Sequence, residues 1–195
     1  TDLAMATEIA GNTLRSFGLA AEDMGHGADV LTATANNSAQ TLEDLGWAMK
    51  YAAPIADAYG LSIEQTSKAL GALANFGIKG SMAGNTMKNI MLQLSNPAIR
   101  KKIEGLGVAV TDSAGKFRDV GSILTGLGTA VRNMPTPDKL ALMNELFGKR
   151  AVTGGIKLTT ANFERLNEAI DNASGTAQKT AETMDSGLGG VFRRL

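Results

Sequence analysis

The chain has 195 residues, 44% of them hydrophobic, enough to bury one or two cores of ordinary domain size. Nineteen basic residues balance nineteen acidic ones, which argues against a general nucleic-acid binder, since neutralising phosphates takes a basic surplus. There is no Cys and a single His, which excludes disulfides, thiolate zinc sites, iron–sulfur clusters, Cys nucleophiles and two-His metal sites. Aromatics are 5%, whereas 23 Gly and 29 Ala make up about a quarter of the chain. Such a chain brings backbones close together and offers little to anchor a large ligand.

The front reads as two helix-compatible stretches, 3–18 and 28–37, separated by Gly25-His26-Gly27. It has neither the basic n-region nor the long apolar segment of a signal peptide, and no window holds the ~18 apolar residues needed to span a bilayer. The chain opens on Thr1, so it is expected to be a fragment of a longer one. Leu42, Leu45, Met49, Ala52 and Ala56 recur at helical spacing. Pro54 inside that pattern is expected to kink or end the helix, and Gly60 to stop it. Ser62 and Gln65 have capping-box spacing, with Leu61 placed as a hydrophobic staple. Ile63, Thr66, Leu70 and Leu73 make the stripe of that helix, and Gly77 its left-handed C-terminal cap.

A helix over 81–94 carries Ala83, Met87, Ile90, Met91 and Leu94 on one face. Asn96-Pro97 then reads as a cap followed by a first-turn proline, opening a helix that bears Arg100-Lys101-Lys102 and ends at Gly105 and Gly107. Val108, Val110 and Phe117 around Asp112-Ser113-Ala114-Gly115 predict a small β-hairpin or an extended loop. Val120, Ile123, Leu124, Leu127 and Val131 are helical again. Met134-Pro135-Thr136-Pro137 is a break that opens a helix with Leu140, Met143, Leu146 and Phe147. Gly148 is expected to end it and Gly154-Gly155 to weaken the helical stretch beyond. Two last helices are expected over 161–172 and 177–195, the second with Ala181, Met184, Leu188, Val191 and Leu195 as its stripe. The predicted fold is all-α: a compact domain of many short helices with one small β-hairpin or extended loop. There is no repeat period of 20–50 residues and no sustained heptad.

Sites for chemistry are few. His26 reads as a solvated loop histidine or a helix-end cap. Glu43 with Asp44 are adjacent and do not face each other on a helix; Glu164 with Glu168 share a face that looks solvated. Gly126-Leu127-Gly128 and Gly148-Lys149-Arg150 lack the residues of a nucleotide-binding loop and read as helix stops. The basic run at 100–102 reads as a solvated helix face. No catalytic, cofactor-binding or metal-binding residue is assigned, and the chain is not expected to be an enzyme. The nine Met read first as core filling and otherwise as an adaptable binding surface, with Met82, Met87 and Met91 close together. Trp47, the only Trp, lies beside its helix's apolar stripe, half core and half interface anchor.

One run is more specific: Leu45-Gly46-Trp47-Ala48-Met49-Lys50-Tyr51-Ala52-Ala53-Pro54, then Tyr59-Gly60-Leu61-Ser62-Ile63-Glu64-Gln65, then Asn75-Phe76-Gly77-Ile78-Lys79-Gly80-Ser81-Met82-Ala83-Gly84-Asn85. It resembles the core domain of phage tail tape measure proteins. Leu106-Gly107-Val108-Ala109-Val110-Thr111-Asp112 with Gly115-Lys116, the helix end Leu146-Phe147-Gly148-Lys149-Arg150-Ala151 and the tail from Met184 are similar to that family as well. The resemblance covers about 28–195, with 1–27 as a helical lead-in. Asn85 stands where the family usually has Thr, and Gly154-Gly155 in a stretch usually rich in Ala and Leu.

The resemblance implies a structural, non-enzymatic part of a phage tail. Its parent chain would lie in the tail tube, set tube length, and leave on genome delivery. A segment broken every 10–20 residues is not the ruler itself, so a compact self-association or docking module is expected. The implied partners are further copies of itself and tail tube, tail tip or baseplate proteins. No cofactor and no specific nucleic acid are implied, and membrane contact only through other parts of the chain. The expected location is the virion, inside the tail or its tip, after synthesis in the host cytoplasm. The candidate corner is Gly77, Ile78, Lys79, Gly80, Ser81 and Gly84; the candidate interface residues are Trp47, Met82 and Met87. The rival readings are a peptidoglycan-cleaving module and a membrane-active one used in genome entry.

Overall fold

The computed structural model describes residues 3–186, and within them every regular element is a helix. Helix α1 is Leu3–Ser16; a short 3-10 turn, Ala21–Asp23, leads into α2, Met24–Asn36. Next come α3 (Leu42–Ala58), α4 (Ile63–Asn75), α5 (Gly80–Ser95) and α6 (Pro97–Gly105). After a loop come α7 (Val120–Ala130), α8 (Thr136–Thr159), α9 (Glu164–Asp171) and α10 (Thr176–Ser186). The helix expected over 177–195 is seen as far as Ser186; Leu188, Val191 and Leu195 lie outside the described residues.

Local chemistry fixes where several of these helices begin. Ser62 Oγ accepts from Gln65 N, and Gln65 Oε1 accepts from Ser62 N, a complete capping box at α4. Thr41 and Asp44 do the same for α3, a box missed because Asp stands where Glu or Gln is usual. Asn96 and Asp119 cap α6 and α7 through their side chains.

One core joins the helices. Leu31, Leu45, Met49, Leu70, Leu73 and Met87 are all 0–1% exposed, and Ile90, Leu94, Ile123, Leu124 and Phe147 continue the same cluster. Burying such a side chain contributes roughly 1.5–3 kcal/mol. Helix α4 runs through the middle, touching α2, α3, α5, α7, α8 and α9. Helices α2 and α4 are parallel: His26 meets Glu64 at one end, and Thr34 meets Gly71 further along. Helix α9 runs against α2, with Arg165 bonded to Asn37 and Gly175 N bonded to Asp29.

Several expectations need correction. Pro54 does not end α3, which continues to Ala58. Its ring lies on the exposed side, and the flanking Ala52, Ala53 and Ala56 are buried, so tertiary packing carries the helix past one missing donor. Gly25-His26-Gly27 does not separate two helices but lies in the first turn of α2. A Cβ on Gly27 would sit 2.7 Å from Leu14 Cδ2, so the residue is small to let α1 dock. Gly126 and Gly128 are interior to α7, not its stop; Gly128 lets α7 reach the backbone of Thr159 in α8. Gly154 and Gly155 do not loosen α8. A side chain there would run into Thr86 and into Phe147, so these glycines are spacers within tightly packed helices.

Of the two readings for the stretch around Asp112, β-hairpin or extended loop, the loop is the one found. Among the described residues there is a single bridge, Thr111 with Phe117. Asp112 Oδ1 accepts from Ala114 N and Lys116 N and closes the turn within itself. With two short apolar arms and no third strand to pair, the ladder does not extend. The loop is held down by buried Val110 and by Phe117 stacked on Tyr59, with 4.9 Å between ring centres. Gly148 does interrupt α8 as expected: its φ of 67° and ψ of 167° are not helical, and helix resumes at once on the far side.

Candidate interaction surface

The glycine-rich corner between α4 and α5 is a device for setting one helix against another. Helix α4 ends in a Schellman motif: Ile78 N donates to Leu73 O at 3.0 Å and Gly77 N to Ala74 O at 2.8 Å. Gly77 has φ +82°, as a left-handed cap requires. Ile78 folds back on the core while Lys79 stays exposed at the tip.

Helix α5 then runs parallel to α3. Gly80 faces Asp44, Gly84 faces Ala48, and Lys88 Nζ lies over the Tyr51 ring at 5.9 Å. Gly84 is the point of closest approach. A Cβ there would fall 2.9 Å from the Ala48 carbonyl carbon, 3.0 Å from its Cα, and closer still to its oxygen. Gly80 supplies a positive φ of 54° and Gly84 the contact. Ser81 accepts at its carbonyl from the Asn85 amide, so Asn85 is satisfied within α5.

Of the candidate interface residues, Trp47 and Met82 are exposed, at 48% and 66%. Trp47 precedes the contact residue Ala48 on α3 and Met82 precedes Gly84 on α5, so the crossing holds both in place. Lys50 Nζ lies 5.1 Å from the Trp47 ring centre. A cleft of about 470 Å³ runs between α1 and α3 beside Trp47, lined also by Glu8, Ile9, Asn12 and Gly46. Met87 is a correction: it is 0% exposed, on the inner side of α5, and fills the core. The Met cluster therefore divides, since Met91 is buried too. The helical period separates Met82 from Met87 by five residues, which turns them to opposite sides.

Glu164 and Glu168 are exposed on α9. A broader cleft of about 890 Å³ between α4, α7 and α9 contains Glu164 with Lys68, Asp119, Asn167 and Asp171. No group of three or more metal-ligating side chains occurs among the described residues, and no helix among them is long and apolar enough to cross a membrane. His26 is neither a loop residue nor a cap: its Nε2 meets Glu64 Oε1 at 2.6 Å and ties α2 to α4. Partial burial works against the Glu64 carboxylate, but hydrogen bonds from Ser62 and His26 outweigh it and hold its pKa below the ordinary value. Sequence spacing gave no hint of this pair, which comes from residues 38 apart.

Residues 1–148 match the family described as phage-related minor tail protein. The whole chain aligns at 33% identity with a tape measure protein of Pneumococcus phage Dp-1. The chain belongs to the phage tail tape measure family. A probable tape measure protein of Escherichia phage P2 is 30% identical over 91% of the chain. The chain spans 17% and 23% of these two tape measure relatives, about a fifth of their length. No solved structure matches it.

Proposed function

We propose that this chain is a structural packing module of a phage tail, carried on a tape measure protein and acting through its surface rather than through chemistry. It takes part in tail assembly and length determination by docking to tail tube, tip or baseplate proteins or to its own copies. It travels with the virion tail and is released with its parent chain on genome delivery. In this reading residues 28–195 form the module and 1–27 a lead-in docked onto it.

The observation that carries the reading is the α3–α5 crossing. Backbone contact at Gly84 fixes two parallel helices at one spacing, and that rigid pair presents Trp47 and Met82 outward. Exposed Trp and Met on a preorganised scaffold are the usual anchors of protein interfaces. The glycines that break the chain into short helices also make it a poor ruler, which would need long uninterrupted helix.

The test is binding of the purified chain to purified tail tube and tail tip proteins, read as complex mass. Complex formation weakened at least about tenfold by Trp47→Ala with Met82→Ser supports the module, since anchor truncations cost about 1 kcal/mol or more each. Binding neither to these proteins nor to further copies of itself, or wall hydrolysis or liposome leakage by the chain alone, overturns it.

A further inference from the structure

The cleft between α4, α7 and α9 has a volume of about 890 Å³, within the range of small-ligand sites. Each helix gives it one face. Gln65, Lys68 and Ala69 follow one side of α4, as Glu164, Asn167 and Asp171 follow one side of α9, at steps of three and four residues. Helix α7 contributes only small residues, such as Gly121 and Thr125. Phe163, in the turn before α9, supplies an aromatic ring to the lining. A Cβ on Gly121 would lie 3.4 Å from two atoms of that ring, so glycine lets the ring rest against α7. Just before this turn Gly128 meets the Thr159 backbone, and just after it Asn162 Oδ1 accepts from Glu164 N. The walls are therefore set before a ligand arrives.

Much of the hydrogen-bonding capacity of this lining is unspent. Gln65 Oε1 and Asp119 Oδ1 serve helix starts, accepting from Ser62 N and Ser122 N. That leaves Gln65 Nε2 to donate and Asp119 Oδ2 to accept. The side chains of Lys68, Asn167 and Asp171 have no partner among the described residues. Lys68 shares the cleft with three carboxylates, Asp119, Glu164 and Asp171, and forms an ion pair with none of them. Lys68, Asp119, Phe163 and Asn167 are half-buried, whereas Thr125, Glu164 and Asp171 are exposed. Free donors and free acceptors are thus mixed around one aromatic ring.

This lining narrows the ligand. An anion such as phosphate would face three carboxylates against one Lys. An apolar ligand would strand the free polar groups without water. A lone metal ion has no set of three or more ligating side chains to hold it among the described residues. A neutral polyol ring meets every requirement: each hydroxyl both donates and accepts, and the C–H face suits the negative face of an aromatic ring. We infer that this cleft binds a short neutral saccharide. The Asn167 amide, which donates and accepts through one planar group, takes adjacent hydroxyls. Asp119 and Asp171 accept from others, Lys68 donates, and Phe163 covers the apolar side of a sugar ring. The site uses none of the residues of the α3–α5 face, so it goes beyond the packing-module reading and either can fail alone.

The experiment is an amide NMR titration of the 195-residue chain with maltotriose and, separately, with tri-N-acetylchitotriose. The expected result with at least one of them is a saturable shift of amides in 119–125 and 160–171, with a Kd of about 1 mM or lower. Lys68→Ala with Asn167→Ala should weaken binding at least about tenfold, since two hydrogen bonds are lost, one of them from a charged donor. Thr125→Arg is the second variant. It fills the exposed edge of the cleft, leaves the half-buried groups in place, and should abolish the shifts. Unchanged amide spectra outside the cleft confirm that the variants fold.

Neither sugar moving these amides at about 20 mM, well above that Kd, would overturn the inference. So would shifts confined to another part of the chain, or variants that bind like wild type. Shifts of the cleft amides by trilysine or by inorganic phosphate, with none from the sugars, would overturn it too; the cleft would then serve a charged ligand.

Discussion

Replacing Gly84 by Ala is the most direct probe of the α3–α5 crossing. The new methyl would sit 2.9 Å from the Ala48 carbonyl carbon and 3.0 Å from its Cα. Carbon pairs prefer about 3.5–4.0 Å, so the helices must move apart by roughly 0.6–1 Å. The obstacle is backbone within a helix, and it cannot rotate away as a flexible side chain would. Overpacking of this kind costs about 1–3 kcal/mol, and this site falls at the upper end because the whole parallel pair must shift. Ala recovers up to about 1 kcal/mol of helix propensity. The expected net loss is about 2 kcal/mol, which at a urea slope of about 2 kcal/mol/M lowers the midpoint by about 1 M. Gly11→Ala is the control. It lies in mid-helix with no atom within 4 Å of its would-be Cβ, so the same substitution should raise the midpoint by up to about 0.5 M. Equal midpoint shifts for Gly84→Ala and Gly11→Ala would refute the close crossing.

Gly148→Ala places a side chain at φ 67° and ψ 167°, a region essentially restricted to glycine, so urea unfolding should show a loss of about 1–3 kcal/mol. Met87→Ala should cost about 2–5 kcal/mol by the same assay, and Met82→Ala stay within about 0.5 kcal/mol, because one is in the core and the other on the surface. Glu64 has a lowered folded pKa, so its contribution to stability is fully present above the unfolded carboxylate pKa and lost as pH falls through the folded one. Stability measured against pH should therefore drop below about pH 4.5, and Glu64→Gln should make that acid limb shallower.

The helices were legible where a local signal decides them. The Ser62–Gln65 box, the cap at Gly77 and the Asn96-Pro97 start stand where spacing and residue type put them. What sequence could not show was which glycines mark ends and which mark contacts. Gly77 is a turn, but Gly27, Gly84, Gly128 and Gly154 are spacers within helices, and their reason is a partner helix elsewhere along the chain. Composition makes both look like breaks. That Pro54 does not stop its helix has a related cause: propensity is a local quantity, and the packing of Ala52, Ala53 and Ala56 overrides it. Trp47 and Met82 are exposed, whereas buried Met87 differs from Met82 only by its turn around the helix axis.

The central claim is that this chain is a compact packing module and not a length of ruler. Small-angle scattering from the purified chain tests it directly. A compact fold of 195 residues has a radius of gyration of about 16 Å, and that is the expected value. A thin-rod profile approaching the roughly 290 Å of one continuous helix of this length would contradict it.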